Sequence, residues 1–299
     1  MHLITEAQVA AALDAETARH ALRAAFAQHG RGQAQVLARH RATSAVDGAA
    51  LAISAMGAIL QADGDLPAVL GTKVYSARNG RYHFLVSLFS ADTGAPLATL
   101  EANEFTRLRT AAATAVATEL LARPEARTLA VFGAGIQARA HLEALLPLRR
   151  FERVLVCARS GAEALAAAFG GEAVDAATAA AEGDVIVTAT RSPTPLFDGA
   201  RVRPGAFVAA VGSSTRAARE LDDTLLARAA TIAVEWRTAA ELEAGDLVHC
   251  PPERWVELGE LVARPRPRAV QDIAVYKSVG IGLEDVALAR VVARRLGAC

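Results

Sequence analysis

The sequence predicts an α/β chain in which a doubly wound parallel sheet follows a separate α+β domain. Three observations predict it. From Thr128 onward, apolar strands alternate with helical segments, the pattern of a parallel sheet covered on both faces. Before residue 90 the strands come in succession with polar turns between them. An Ala-rich helix running into Arg123-Pro124 separates the two regions. At 299 residues and 53% hydrophobic content, the chain is long and apolar enough for two buried cores.

The elements follow in order. Thr5 to Gly30 reads as one helix, opened by a Thr5-x-x-Gln8 capping box and stopped at Gly30. Gln35–Arg39, Ala50–Met56, Leu70–Tyr75 and Tyr82–Phe89 read as strands, and Asp92-Thr93-Gly94 as a hairpin turn before Pro96 and Leu97. Thr106–Leu121 is helical, with the domain boundary at Pro124. Thr128–Phe132, Arg153–Ala158, Asp184–Thr190, Ala206–Val211 and Thr231–Glu235 are the parallel strands, and Gln137–Leu146 is a helix among them.

Composition narrows the partners. Lys+Arg and Asp+Glu are 32 each and no basic run occurs, which argues against nucleic acid and for a small neutral or zwitterionic molecule. Cys157, Cys250 and Cys299 are far apart without C-x-x-C spacing, so they read as free thiols in a reducing compartment, the cytoplasm. The N-terminus lacks a signal-peptide pattern, and charge interrupts every Ala-rich run before it is long enough to span a membrane.

The chemistry starts at Gly133-Ala134-Gly135-Ile136-Gln137-Ala138, between an apolar strand and a helix. In that setting G-x-G-x-x-A is a Rossmann dinucleotide-binding turn. Gly133 allows the tight turn, Gly135 leaves the pyrophosphate unobstructed, Ala138 lets helix and strand approach, and the helix N-terminus offers N–H groups. The next strand ends in Cys157-Ala158-Arg159-Ser160, where an NAD site usually places an acid against the ribose 2′-hydroxyl. Arg159 and Ser160 instead suit a 2′-phosphate, so NADP is favoured, with NAD the alternative. The bland reading of Arg159 is a solvated residue at a strand end.

The chain resembles the ornithine cyclodeaminase/mu-crystallin family nearly end to end. The resemblance is carried by Gly71-Thr-Lys73-Val-Tyr75, Asp92-Thr-Gly94, Arg107-Leu-Arg109-Thr110, the glycine turn, Val187-Thr-Ala-Thr190, Val211-Gly-Ser213 with Arg219-Glu-Leu-Asp222, and Lys277-Ser-Val-Gly280. It implies a homodimer whose substrate-binding and dimerisation domain comprises residues 1–122 and 273–299, with a Rossmann domain at 123–272. It also implies that Lys73, Arg109 and an arginine of the early strand, Arg41 in preference to Arg39, hold the carboxylate of an amino or imino acid. Such cations grip carboxylates through charge-assisted hydrogen bonds. Arg109, Gln137, Thr190, Gly212 and the Ser278-Val279 loop are the implied cofactor contacts, with Val279 also facing the substrate beside Met56 and Tyr75. His83 reads as a hydrogen-bonded structural residue rather than an acid or base.

One departure from the family pattern bears on the reaction. Its cyclodeaminases carry an aspartate just after the Val-Gly pair, and Ser214 stands there instead. A serine hydroxyl without an activating partner is a poor base at neutral pH. The resemblance therefore leans to the ketimine reductase branch, with Lys73, Arg109 and Ser214 as the catalytic set and no metal. The alternatives are an ammonia-lyase that makes proline from ornithine with bound NAD, and a low-turnover protein that binds dinucleotide and a small ligand. Glu220 and Asp222 read equally as caps or as catalysts.

Overall fold

Thr5 caps α1 (Glu6–Ala12) through the expected box, its hydroxyl accepting from the Gln8 backbone N–H while Gln8 Oε1 accepts from the Thr5 N–H. The expected single helix is nevertheless two. Asp14 interrupts it and caps α2 (Ala15–Gly30), its carboxylate accepting from the Thr17 N–H at 2.7 Å. The computed structural model describes residues 1–299, which divide into two units, Met1–Arg109 with Ile281–Cys299, and Thr110–Gly280.

In the first unit a six-stranded sheet has the order β1-β6-β5-β4-β3-β2. Its strands are β1 (His2–Ile4), β2 (Ala34–Val46), β3 (Ala49–Leu60), β4 (Val69–Arg78), β5 (Arg81–Ser90) and β6 (Pro96–Glu101). Strands β2 to β5 are longer than their sequence pattern indicates, because the two-residue turns Asp47-Gly48 and Asn79-Gly80 carry pairing to their tips. The short β1, which no pattern marked, pairs parallel to β6. From β6 the chain enters α3 (Asn103–Leu121).

The second unit is built on eight parallel strands in the order β13-β12-β14-β11-β10-β7-β8-β9. They are β7 (Thr128–Phe132), β8 (Arg153–Cys157), β9 (Glu172–Ala173), β10 (Val185–Thr188), β11 (Phe207–Ala210), β12 (Ala229–Val234), β13 (Trp255–Glu257) and β14 (Ile273–Lys277). The helices are α4 (Ile136–Leu145), α5 (Ala162–Ala168), α6 (Ala176–Glu182), α7 (Asp223–Arg228), α8 (Arg237–Glu243) and α9 (Leu258–Ala263). Strand order reverses between β7 and β10, the switch point at which doubly wound sheets bind ligands. The sequence puts the divisions at 122/123 and 272/273, whereas the units divide within α3 and after Gly280. Ile273–Lys277 pairs with β11 and β12 in the parallel sheet, as suits a five-residue strand buried throughout.

The C-terminal helix α10 (Gly282–Arg295) completes the first unit. It is buried from Gly282 to Ala293 and packs on the sheet and on α2. Alternation along the strands sends Ser54, Met56, Ala58 and Leu60 of β3 and Val69, Gly71, Lys73 and Tyr75 of β4 to its face of the sheet. The other face bears Leu37, Ile53, Ile59, Val74 and Leu85, all exposed. No helix is long and apolar enough to cross a membrane.

The first turn of α10 lies directly on β3. A Cβ on Gly282 would stand 2.3 Å from the Gly57 backbone nitrogen, and backbone offers no side-chain rotation to relieve that. Gly282→Ala is therefore expected to lower the unfolding free energy by about 2 kcal/mol through overpacking, read in urea denaturation.

Candidate functional site

The first unit gathers its charges where α10 meets the sheet. Lys73, only 1% exposed, donates from Nζ to Asp285 Oδ1 at 2.8 Å and to Thr106 Oγ1 at 2.7 Å, and lies 4.5 Å from the Phe84 ring centre. Arg109 of α3 donates from its guanidinium to Glu284 Oε2 at 2.9 Å, with its Nε 4.0 Å from Asp285 Oδ1. Burial pulls the Lys73 ammonium down to about 8, opposed by Asp285, while Arg109 and Arg39 push it the same way as burial.

Both early arginines face this side of the sheet, because the β2–β3 register shifts between Leu37 and His40. Arg41 donates to Ser54 Oγ and to the Tyr75 hydroxyl, both at 3.1 Å. Arg39 reaches Met56 Sδ at 3.5 Å and acts electrostatically on Lys73. The sequence preference for Arg41 thus meets a geometry in which Arg39 is coupled to the lysine and Arg41 to the tyrosine. Tyr75, Tyr82 and Phe84 form an aromatic cluster alongside. His83 projects from the opposite face, lining a depression of about 870 Å³ with Ile53 and Ser76.

In the second unit the glycine turn follows β7. Gly133 has φ +115°, and a Cβ there would meet the Ala189 carbonyl oxygen at 2.7 Å, so the tight turn requires glycine. Gly135 caps α4 without a side-chain hydrogen bond, and a Cβ on it would meet nothing within 4 Å. Space at the head of a ten-residue helix with uncapped N–H groups fits a pyrophosphate. Ala138 is fully buried and Gln137 half-buried on α4. The bend after β8 carries exposed Arg159 and Ser160 to Gly161, whose own Cβ position lies 3.5 Å from Ala134 of the turn. No acid occupies that bend.

The remaining predicted cofactor residues sit on loops tied to buried carboxylates. Glu220, fully buried, accepts from the Thr190 N–H and hydroxyl and the Gly212 N–H, each at 2.7 Å, and from the Thr188 hydroxyl at 2.9 Å. Asp222 caps α7 and accepts from the Gly199 N–H. Both acids thus hold backbone. Ser278, with the Tyr276 hydroxyl and the Val279 and Gly280 N–H groups, donates to Glu235. Lys277 pairs with Asp246 at 2.8 Å and donates to the Ser213 carbonyl, which pins the residue before half-buried Ser214.

Sequence reasoning missed Glu284, Asp285, Glu235 and Asp246. Three carry a readable signal: paired acids open an apolar helix at Glu284-Asp285, and Glu235 ends an apolar strand.

The family model for the ornithine cyclodeaminase/mu-crystallin family matches residues 1–298. A mouse ketimine reductase mu-crystallin is 37% identical over 214 residues, 69% of this chain and 67% of the mouse protein. The crystal structure of a probable ornithine cyclodeaminase from Bordetella pertussis superposes with TM-score 0.91 at 42% identity, covering 100% of this chain and 97% of that one. A Thermococcus litoralis Δ1-pyrroline-2-carboxylate reductase, solved with NADH and L-proline, gives 0.88 at 28% identity, covering 99% and 98%.

Glu235 is buried and engaged by four donors. Glu235→Ala strands those donors and is expected to cost about 3 kcal/mol of unfolding free energy, measured by urea denaturation with and without dinucleotide.

Proposed function

This chain belongs to the ornithine cyclodeaminase/mu-crystallin family, and from that premise we propose that it is an NAD(P)H-dependent reductase of a small, cyclic imino acid. The observation that carries the reading is the cationic cluster of the first unit, in which Lys73 and Arg109 are buried, Arg39 is half-buried and Arg41 is exposed. The cations Lys73, Arg109, Arg39 and Arg41 outnumber the acids Glu284 and Asp285, which leaves positive charge for a substrate carboxylate. Relatives named as a ketimine reductase and as a Δ1-pyrroline-2-carboxylate reductase support the same chemistry.

The turn Gly133–Ala138 would hold the pyrophosphate, and Arg159 with Ser160 the 2′-phosphate, which makes NADPH the preferred reductant over NADH. Bound there, the nicotinamide supplies the hydride. Thr190, Gly212, Ser278 and Val279 would flank the dinucleotide on loops that Glu220 and Glu235 keep fixed. The chain's own part is largely positioning. Lys73, Arg109 and an early arginine anchor the carboxylate, and Ser214 orients the imine nitrogen or a water. A protonated imine is already electrophilic, so no strong base is needed.

Loss of ammonia from ornithine is the second reading, favoured by the 42% identity to the Bordetella protein. Ser214 weighs against it, because a hydroxyl replaces the carboxylate that would move protons. The exposed apolar face of Leu37, Ile53, Ile59, Val74 and Leu85 supports a homodimer joined through the sheet. Three unpaired thiols support a reducing, cytoplasmic setting.

Oxidation of NADPH and NADH is followed with pyrroline and piperideine carboxylates, beside ammonia release from ornithine. The expected result is imine-dependent oxidation favouring NADPH, lowered about a hundredfold in kcat/KM by Arg109→Ala. Arg159→Ala is expected to lower the NADPH-to-NADH preference about tenfold. Ammonia from ornithine without imine reduction would establish the lyase instead, and dinucleotide binding without either reaction would leave a binding protein. In sedimentation, Ile53→Asp with Leu85→Asp is expected to yield monomer from dimer.

A further inference from the structure

We propose that Asp285 is the positioning residue of the carboxylate site, the group that keeps Lys73 charged and aimed, a role that rests on reading Lys73 as a carboxylate anchor. Lys73 is buried, so its ammonium form is penalised by desolvation. On the elements around it the charged or titratable groups are Asp285 and Glu284 of α10, Arg109 of α3, Arg39 and Arg41 of β2 and Tyr75 of β4. Among them Arg109 and Arg39 repel the ammonium and Asp285 attracts it. Thr106 accepts a hydrogen bond but brings no charge. Asp285 is the carboxylate bonded to the lysine, and without it a neutral amine is the favoured state among these cations.

The acids of this protein differ in what they hold. Glu220, Glu235 and Asp246 each accept backbone N–H groups and so staple loops. Glu284 divides its carboxylate between the Ile281 N–H at the start of α10 and Arg109. Asp285 binds no backbone group: one oxygen takes Lys73 at 2.8 Å with Arg109 Nε at 4.0 Å, and the other makes no hydrogen bond. A carboxylate whose partners are two substrate-directed cations serves those cations rather than the fold. It sits in the first turn of a fourteen-residue helix, whose N-terminus favours negative charge there.

The sign of the pH effect follows. The protonated lysine binds the carboxylate, so binding and kcat/KM are present at neutral pH and fall as pH rises through about 8. Removing the Asp285 charge removes the attraction that raises the lysine's pKa, and the falling limb moves to lower pH by about one unit or more. A purely structural acid would lower activity equally at every pH and leave the limb in place.

The test compares wild type, Asp285→Asn, Asp285→Glu and Lys73→Arg from neutral to alkaline pH. One readout is kcat/KM for the imino acid. The other is calorimetric binding of pyrrole-2-carboxylate, a planar unreactive carboxylate, to the dinucleotide-loaded protein. The expected result is a limb shifted to lower pH in Asp285→Asn, held near the wild-type position in Asp285→Glu, and abolished in Lys73→Arg, whose guanidinium stays charged. An unmoved limb in Asp285→Asn, or a limb that persists in Lys73→Arg, overturns the proposal. Should Asp285→Asn fail to fold, the Lys73→Arg profile decides whether the titrating group is the lysine, and a wild-type limb displaced in Asp285→Glu overturns the role of the carboxylate. Shifted binding without imine turnover sinks the reductase reading and leaves Asp285's role intact, whereas turnover with an unshifted limb does the reverse.

Discussion

The first unit depends on a buried exchange of charge between the opening turn of α10 and two cations from elsewhere in the chain. Lys73 comes from the middle of the sheet and Arg109 from α3, and neither has a place in an apolar interior without Asp285 and Glu284. The acids in turn need the helix, whose N-terminal partial charge lowers the cost of burying them. A C-terminal helix that returns past the whole second unit is thus required both to fill the first unit's core and to charge its site. The glycines where α10 meets β3 are a consequence, since backbone-to-backbone contact brings the acids within reach of Lys73.

The second unit applies a different rule to its buried acids. At the carboxyl end of the parallel sheet, loops leave each strand with N–H groups that no neighbouring strand satisfies. Glu220 collects those after β10 and β11, and Glu235 those after β14. Asp246 holds the Glu220 and Leu221 N–H groups and balances Lys277, so the ties form a network rather than separate bonds. Loops fixed this way can present small residues to a ligand without folding around it, a form of preorganisation.

Much of this was legible in the sequence, and what escaped it has a physical cause. The glycine turn, the capping box at Thr5 and the parallel strands are local patterns, set by residues within a few positions of one another. The break at Asp14 was missed because apolar spacing continues across it, while the cap that ends one helix and starts the next depends on a single side chain. Asp285 and Lys73 are partners 212 positions apart, and periodicity carries no information about that pairing. Arg39 and Arg41 could not be separated for another reason: equal parity in a strand predicts one shared face, and a register shift decides how far each reaches.

Ser214 is where the choice of reaction turns. Cyclisation of a diamino acid with loss of ammonia is redox-neutral overall, so hydride must leave and return while protons move on and off two nitrogens. That sequence calls for a group that titrates near neutrality beside the amine. Reduction of an imine that is already cyclic and protonated needs one hydride and one fixed carboxylate. On the proposed reading, a chain with serine after its Val-Gly pair, and with cations paired to buried acids, would anchor a carboxylate but offers no carboxylate for proton exchange at that position. Lys73, brought down to about 8 by burial with Asp285 opposing, is mostly protonated at neutral pH, the form that suits it to anchoring an anion.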